Sequence, residues 1–321
     1  MAREDYEQIK QKFEKFVNTW KTRDATVLEN IVHPEIKCYM SIAKAYPDGS
    51  QHSKVGIQDF VRDFPQTDVL HINICNYVCR LNAKEAQQYA EVVCRAANFV
   101  SEKNAYDVFE FTTIVSNHWV HAGEEWLIDE IRMDVVDHGG ELKDFFTDWH
   151  FESAKVEYFP GIHLPCLQGE LDSPWVKIKD AEDILTEEEK VIQTFWRYNY
   201  GVDTLSFENI REVLSDNVVL NMQPFGSMNK RIGMETLKCN RQKNRYWAHP
   251  YLVKSISIQD DLANVEFYRV AGHKQRNHPY RYTMENIDSN HADAKVDMLL
   301  RKENGAWKIL KFNYFLGIID F

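Results

Sequence analysis

The side chains here best suited to moving protons are histidine, aspartate and tyrosine. An apolar pocket brings an imidazole or a carboxylate toward a neutral pKa, and a phenol can steady an oxygen that gains charge. His71 stands at the head of "LHINICNYV" and His249 at the head of "AHPYLVKSI"; Asp24 begins "DATVLENI" and Asp203 begins "DTLSFENI". Tyr198 lies five residues before Asp203, and the matching place in the first half holds Thr19. Each has a structural reading beside the chemical one. Asp24 and Asp203 directly precede helical patterns, where aspartate is a favoured N-cap. His71 alternates with Leu70 and Ile72 and shares a strand face with Asn73, Cys75 and Tyr77, a semi-polar lining that fits a pocket wall. A hydrogen-bonded structural role suits His71 and His249 equally, and Tyr198 equally fits a core aromatic.

Other constellations are weaker. His118 and His121 in "NHWVHAGEEW" are spaced like a metal pair, but they fall where a hairpin turns and no third ligand follows, so they read as solvent-exposed. Glu91 and Arg95 share one strand face and read as members of cross-strand ion pairs or, alternatively, as lining of a first pocket. The six cysteines are scattered, with Cys75 and Cys79 too far apart on an extended strand to share a zinc ion; they read as small buried side chains in a reducing compartment. No Gly-rich phosphate loop, nucleophile elbow or zinc signature occurs.

The elements that must position these groups come in two sets. Tyr6, Ile9, Phe13, Phe16, Val17 and Trp20 fall at helical steps, and so do Leu185, Val191, Ile192, Phe195 and Trp196, after Thr186 and Glu189 in capping-box spacing. The helices match at a shift of 179; "KVGIQDF" and "RIGMETL" match at 177, His71 and His249 at 178, and Trp126 and Trp307 at 181. Four collinear blocks make a tandem duplication. Gly56 and Gly233 would each open a short helix. After it, β-branched and aromatic runs predict strands: "NYVCRL", "QYAEVVCRAANFV", "YDVFEFTTIV" and "WLIDEIRMDVV" in one half, "LVKSISI", "ANVEFYRV", "YRYTMENI", "AKVDMLL" and "WKILKFNYFLGIID" in the other. The expected fold is α+β, with two domains, each of three N-terminal helices followed by an antiparallel meander. The domains are expected at 1–139 and 181–321, with 140–180 a packed connector rich in aromatics.

With 321 residues, 44% hydrophobic and 13% aromatic, the chain can build two cores. A net charge of −11 argues against nucleic acid as a partner. The charge is uneven: residues 1–179 hold 19 Lys+Arg against 29 Asp+Glu, and residues 180–321 hold 19 against 20. Lys230, Arg231, Arg241, Lys243, Arg245, Lys274, Arg276 and Arg281 read as solvated, or as attracting an anionic ligand to the second half. No apolar run is long enough for a membrane span and "MAREDYEQIKQKF" lacks the apolar centre of a secretory signal, so a soluble cytoplasmic protein without membrane partners is expected.

The helices, the Gly-led third helix, the histidine-led strand and the closing "G-x-x-W-x-I" or "G-x-W-x-I" strand, over about residues 5–138 and 186–320, resemble the SnoaL-like branch of the nuclear transport factor two superfamily. Ketosteroid isomerase, scytalone dehydratase, bile-acid dehydratases, polyketide cyclases and many non-catalytic proteins belong to that superfamily, so the fold does not fix the function. The resemblance implies two cone-shaped domains, each with its three helices packed on a curved antiparallel sheet, and an apolar pocket that takes a small-molecule ligand without a cofactor or metal. It also implies an intrachain pseudo-dimer able to associate further. In its dehydratases a pocket histidine works with an Asp and one or more Tyr to remove a proton and expel hydroxide. Position for position, His249 and His71 match the histidine, Asp203 and Asp24 the aspartate, and Tyr198 the tyrosine. The second half is thus expected to hold the intact site. Cofactor-independent lyase or isomerase chemistry on a small, apolar molecule, with or without an acidic group, is one reading; a ligand-binding or scaffold protein is the other.

Overall fold

The computed structural model describes residues 2–41, 46–146, 167, 169–241, 248–270 and 280–320. Helix α1 (Ala2–Thr22) buries Tyr6, Ile9, Phe13, Phe16, Val17 and Trp20 along one face. A short 3-10 helix (Ala25–Asn30) and strand β1 (Val32–Met40) follow, then α2 (Lys54–Arg62), capped by Ser53. The meander is β2 (Val69–Leu81), β3 (Glu85–Val100), β4 (Ala105–Ala122) and β5 (Glu125–Gly140). After the four-residue α3 (Pro174–Lys177), the plan repeats: α4 (Glu187–Asp203), α5 (Phe207–Val213), β6 (Leu214–Met222), β7 (Gly226–Met228) and α6 (Lys230–Arg241). The second meander is β8 (Tyr251–Gln259), β9 (Leu262–Val270), β10 (His291–Glu303) and β11 (Ala306–Asp320). Gly56 and Gly233 fall in the first turns of α2 and α6, where the backbone approach is close. A Cβ on Gly56 would lie 2.1 Å from the Gln51 carbonyl oxygen, and one on Gly233 2.3 Å from Leu220 Cδ1.

The two sheets share one order of five strands, to which the second adds β7 at its edge. The first runs β1-β5-β4-β3-β2 and the second β7-β6-β11-β10-β9-β8. The fold is α+β as the sequence predicts, but neither sheet is wholly antiparallel. Strands β1 and β6, absent from the sequence reading, lie parallel to the closing strands β5 and β11. A parallel neighbour needs a long crossover, and here an entire helix and meander intervene. Pro34 is tolerated because β1 is an edge strand. The run "YRYTMENI", expected as a strand, is instead turns between β9 and β10. Its side chains bridge the two halves: Tyr282 and Ile287 are buried with Ala97 and Val108, Tyr282 Oη donates to Glu110 at 2.6 Å, and the Tyr280 and Tyr282 rings lie 3.9 and 5.6 Å from that of His291.

Each half has its own aromatic core, but the halves are packed unequally. One face of the first sheet rests on α1 and α2. From its other face Val78, Tyr89, Ile114 and Val136 complete the core of the second half. The equivalent face of the second sheet carries exposed Lys254 and Ser257 and the ion pairs of Lys295 with Glu266 and Asp297. Thus β3 is buried along most of its length, including Gln87, Gln88, Glu91 and Arg95. Of the stretch 140–180, residues 147–166 and 168 lie outside the described residues; Phe146 is packed in the first core and Ile178 accepts Arg80 through its carbonyl at 3.1 and 3.2 Å. No helix among the described residues is long and apolar enough to cross a membrane.

Candidate active site

Helix α4 starts with the capping box of Thr186 and Glu189 that the sequence predicts, and its last turn is buried all round. Asp203 is the final helical residue and Ser206 is the N-cap of α5, so Asp203 caps nothing. A carboxylate at a helix C-terminus faces the negative end of the dipole, and full burial adds a desolvation cost. Three groups offset it. Asp203 Oδ2 accepts the His249 backbone N–H at 2.9 Å and Asn199 Nδ2 at 3.1 Å, and Oδ1 makes a short hydrogen bond with His249 Nδ1. Arg241 lies 3.8 Å from Oδ1 and donates through Nε to the Val202 carbonyl at 2.9 Å. Of the basic residues expected to be solvated, Arg241 is thus a core residue, 1% exposed; Lys243, Arg245, Lys274 and Arg276 lie outside the described residues.

His249 precedes β8 by two residues, and its imidazole is 16% exposed. Burial lowers its pKa to about 4, with Arg269 and Arg241 acting in the same direction against the pull of Asp203. The ring is therefore neutral at neutral pH. Burial alone would raise the Asp203 carboxyl, but His249 and Arg241 bring it below the ordinary carboxylate value. A charged acceptor at Nδ1 holds the ring proton there and leaves the Nε2 lone pair open, the tautomer of a general base.

Around this pair stand groups that sequence reasoning missed. Arg269 on β9 donates to Tyr314 Oη at 3.0 Å and to the Ala248 carbonyl at 3.1 Å, with Asp293 at 3.9 Å. Tyr251, in register with Arg269, is buried beside them. Strand parity is the signal that could have found Arg269, since Phe267 and Val265 share its inward face. Tyr198 is packed between Phe195 and Phe312, with ring centroids at 6.0 and 5.3 Å. Its hydroxyl is buried without a hydrogen-bond partner among the described residues, and burial with the nearby Asp203 charge raises its pKa. It touches neither His249 nor Asp203 through a hydrogen bond.

The first half assembles no such pair. Asp24 is the exposed N-cap of the 3-10 helix, accepting Thr26 N at 2.9 Å and Thr26 Oγ1 at 2.6 Å. His71 faces away from the first core, into which Leu70, Ile72 and Ile74 point, and bonds Asn290 at 3.0 Å through Nε2. The two histidines that align in sequence therefore stand in opposite surroundings. Where a pocket was expected, the first cone holds packed rings: Phe146 lies 4.6 Å from Phe109 and 6.4 Å from Phe64, which stacks on Trp20. Arg95 pairs across the ladder with Glu110 at 3.1 Å, whereas Glu91 does not join it. His118 is held by Asp129 at 2.6 Å and Glu85 at 3.3 Å, and His121 stacks on Trp126. Among the described residues no cluster of three His, Cys, Asp or Glu is placed to hold a metal ion.

Glu91 reaches instead to the second half. Its Oε1 accepts Asn76 Nδ2 at 2.8 Å, Tyr89 Oη at 3.1 Å and Asn199 Nδ2 at 3.2 Å. Asn76 sits at a bulge of β2 with φ 52°, a conformation asparagine tolerates, and the bulge re-aims its amide. That amide also donates to the His249 carbonyl at 2.9 Å and accepts Tyr251 N at 3.0 Å.

Residues 183–313 match the family profile of the SnoaL-like domain. No curated protein matches the chain. Among solved structures the chain is similar to the Kfla4162 protein of Kribbella flavida, at 12% identity over 46% of this chain and 99% of that one, with a TM-score of 0.36. It is similar to a conserved protein of Planctomyces limnophilus, at 11% identity over 41% and 98%, TM-score 0.32. It is also similar to a hexachlorocyclohexane dehydrochlorinase of Novosphingobium barchaimii, at 11% identity over 44% and 91%, TM-score 0.33.

Proposed function

We propose that the chain is a tandem of two SnoaL-like units, about residues 1–139 and 181–321 joined by 140–180, in which the second is a cofactor-independent lyase or isomerase. The observation that carries this reading is the buried carboxylate of Asp203, which caps neither helix and directs two of its hydrogen bonds to His249. His249 Nε2 takes a proton from a carbon of the substrate. The electron pair forms a double bond as hydroxide leaves, taking up the imidazolium proton to depart as water; in the isomerase version the pair moves to an adjacent carbonyl oxygen and the imidazolium returns the proton to another carbon of the enolate. Asp203 orients the ring and stabilises the imidazolium that forms. The unpartnered Tyr198 hydroxyl is the donor for the oxygen that gains charge.

The charges of the site are internally matched, Arg241 by Asp203 and Arg269 by Asp293, so a small and largely apolar molecule fits better than a strongly anionic one. The filled interior of the first unit and the capping role of Asp24 favour a non-catalytic role for that half. The test is turnover and binding of a small-molecule panel of β-hydroxy and unsaturated carbonyl compounds. His249→Ala should lower turnover by about 10²- to 10⁴-fold, and His71→Ala should leave it unchanged. Equal turnover by the His249 variant and wild type refutes the assignment.

A further inference from the structure

The asymmetry of Glu91 is the feature that the acid–base pair does not yet explain. Three donors converge on Oε1, from β2, β3 and α4, while Oε2 is buried and has no partner among the described residues. An ionised carboxylate spreads its charge over both oxygens and would leave one of them stranded in the interior. A carboxylic acid has one acceptor oxygen and one hydroxyl, which is the pattern the surroundings present. The acceptor for the hydroxyl is the neighbouring carboxyl of Asp203: the same Asn199 amide donates to Glu91 Oε1 at 3.2 Å and to Asp203 Oδ2 at 3.1 Å, and the two groups act on each other's charge.

We propose that Glu91, supplied by the first half, is a positioning residue of the second half's site: as a carboxylic acid it donates a hydrogen bond to Asp203 and fixes that carboxylate toward His249. The inference rests on the reading of Asp203 and His249 as an acid–base pair. Two adjacent carboxyls share one proton, and it resides on the one without a cation beside it. Asp203 has Arg241 at 3.8 Å and the His249 bonds. The groups facing Glu91 are Asn76 and Cys75 of β2, Tyr89 of β3, and Asn199 and Asp203 of α4; Arg241 of α6 acts on it from farther off. Burial, then the Asp203 charge, raise the Glu91 pKa well above the ordinary value.

The site is then composite, and this gives the two-unit chain a physical purpose. Asn76 and Glu91 grip the His249 carbonyl, Asn199 and Asp203 from the sheet face of the first unit, which an isolated second unit lacks.

The full chain tests this by infrared difference spectroscopy at neutral pH and by the imidazole Nδ1–H proton resonance of His249, assigned through its loss in His249→Asn. Wild type minus Glu91→Gln should show one protonated-carboxyl C=O band. Glu91→Gln, whose amide also donates, should keep the Nδ1–H resonance, and Glu91→Leu should weaken or lose it. Absence of the carboxyl band, or loss of the resonance in the Gln variant, overturns the proposal, as does a Leu variant with an unchanged resonance. The infrared measurement reads the Glu91 proton without any substrate, so it succeeds or fails independently of whether His249 turns anything over.

Discussion

Asp203→Asn tests the physical centre of the site with almost no change in shape. In the native chain Oδ2 faces two N–H donors, His249 N and Asn199 Nδ2, while Oδ1 faces the His249 ring. The amide of asparagine has one acceptor oxygen. Placed at the Oδ1 position, that oxygen keeps the ring proton but sets the NH₂ against two donors. Flipped, it satisfies those donors and sets the NH₂ against Nδ1, which then must accept. The flipped arrangement loses fewer bonds, so the ring changes tautomer and its proton moves to Nε2. The cost is about one hydrogen bond to a charged group, roughly 1.5–3 kcal/mol. It stays below the roughly 3–5 kcal/mol of a broken buried ion pair, because Arg241 keeps the Val202 carbonyl. Urea unfolding at pH 7 reads the stability loss, and nitrogen-15 NMR of the imidazole reads the tautomer. Turnover should fall about 10²- to 10⁴-fold, since Nε2 no longer has a free lone pair. A variant of wild-type stability that keeps its proton on Nδ1 would refute the reasoning.

Acid should destabilise the chain through His249. Its folded pKa, about 4, lies below the ordinary 6.5, so the unfolded state binds the proton first. Stability then falls as pH drops from 6.5 toward 4, by up to about 3 kcal/mol. Urea midpoints across that window should slope less for His249→Asn than for wild type. Glu91 acts with the opposite sign, its raised pKa costing stability as pH climbs above the ordinary carboxylate range; Glu91→Gln should raise the urea midpoint at pH 7 relative to pH 4. Phe146→Ala should cost about 3–5 kcal/mol by hollowing the first cone, measured by the same unfolding. Asp24→Ala should lower the unfolding midpoint slightly and leave the His249 titration unmoved, as a cap remote from the site requires.

How much was legible differs element by element. The helical steps of α1 and α4, the Thr186 capping box and the β-branched runs of both meanders read directly, because each is a local pattern that a nearby surface completes. Strands β1 and β6 escape the sequence reading; their partners β5 and β11 lie about 90 residues downstream, so no local pattern marks the pairing. "YRYTMENI" has strand composition, yet its Tyr282 is buried against the first half and its backbone turns through the Thr283 and Asn286 hydrogen bonds.

The same split runs through the site. The chain's order of residues determined two similar units, the recurrence of Asp24 and Asp203, and the recurrence of His71 and His249. Only the tertiary structure decided that one aspartate caps a turn in solvent while the other is buried against an imidazole 46 residues away. It alone turned His71 toward Asn290 and brought Glu91 of one unit beside Asp203 of the other. Local patterns follow from backbone sterics and periodicity, which neighbouring residues set. A carboxyl group's charge state follows from desolvation and from the charges that packing places beside it, and those partners are fixed only when both units close on each other.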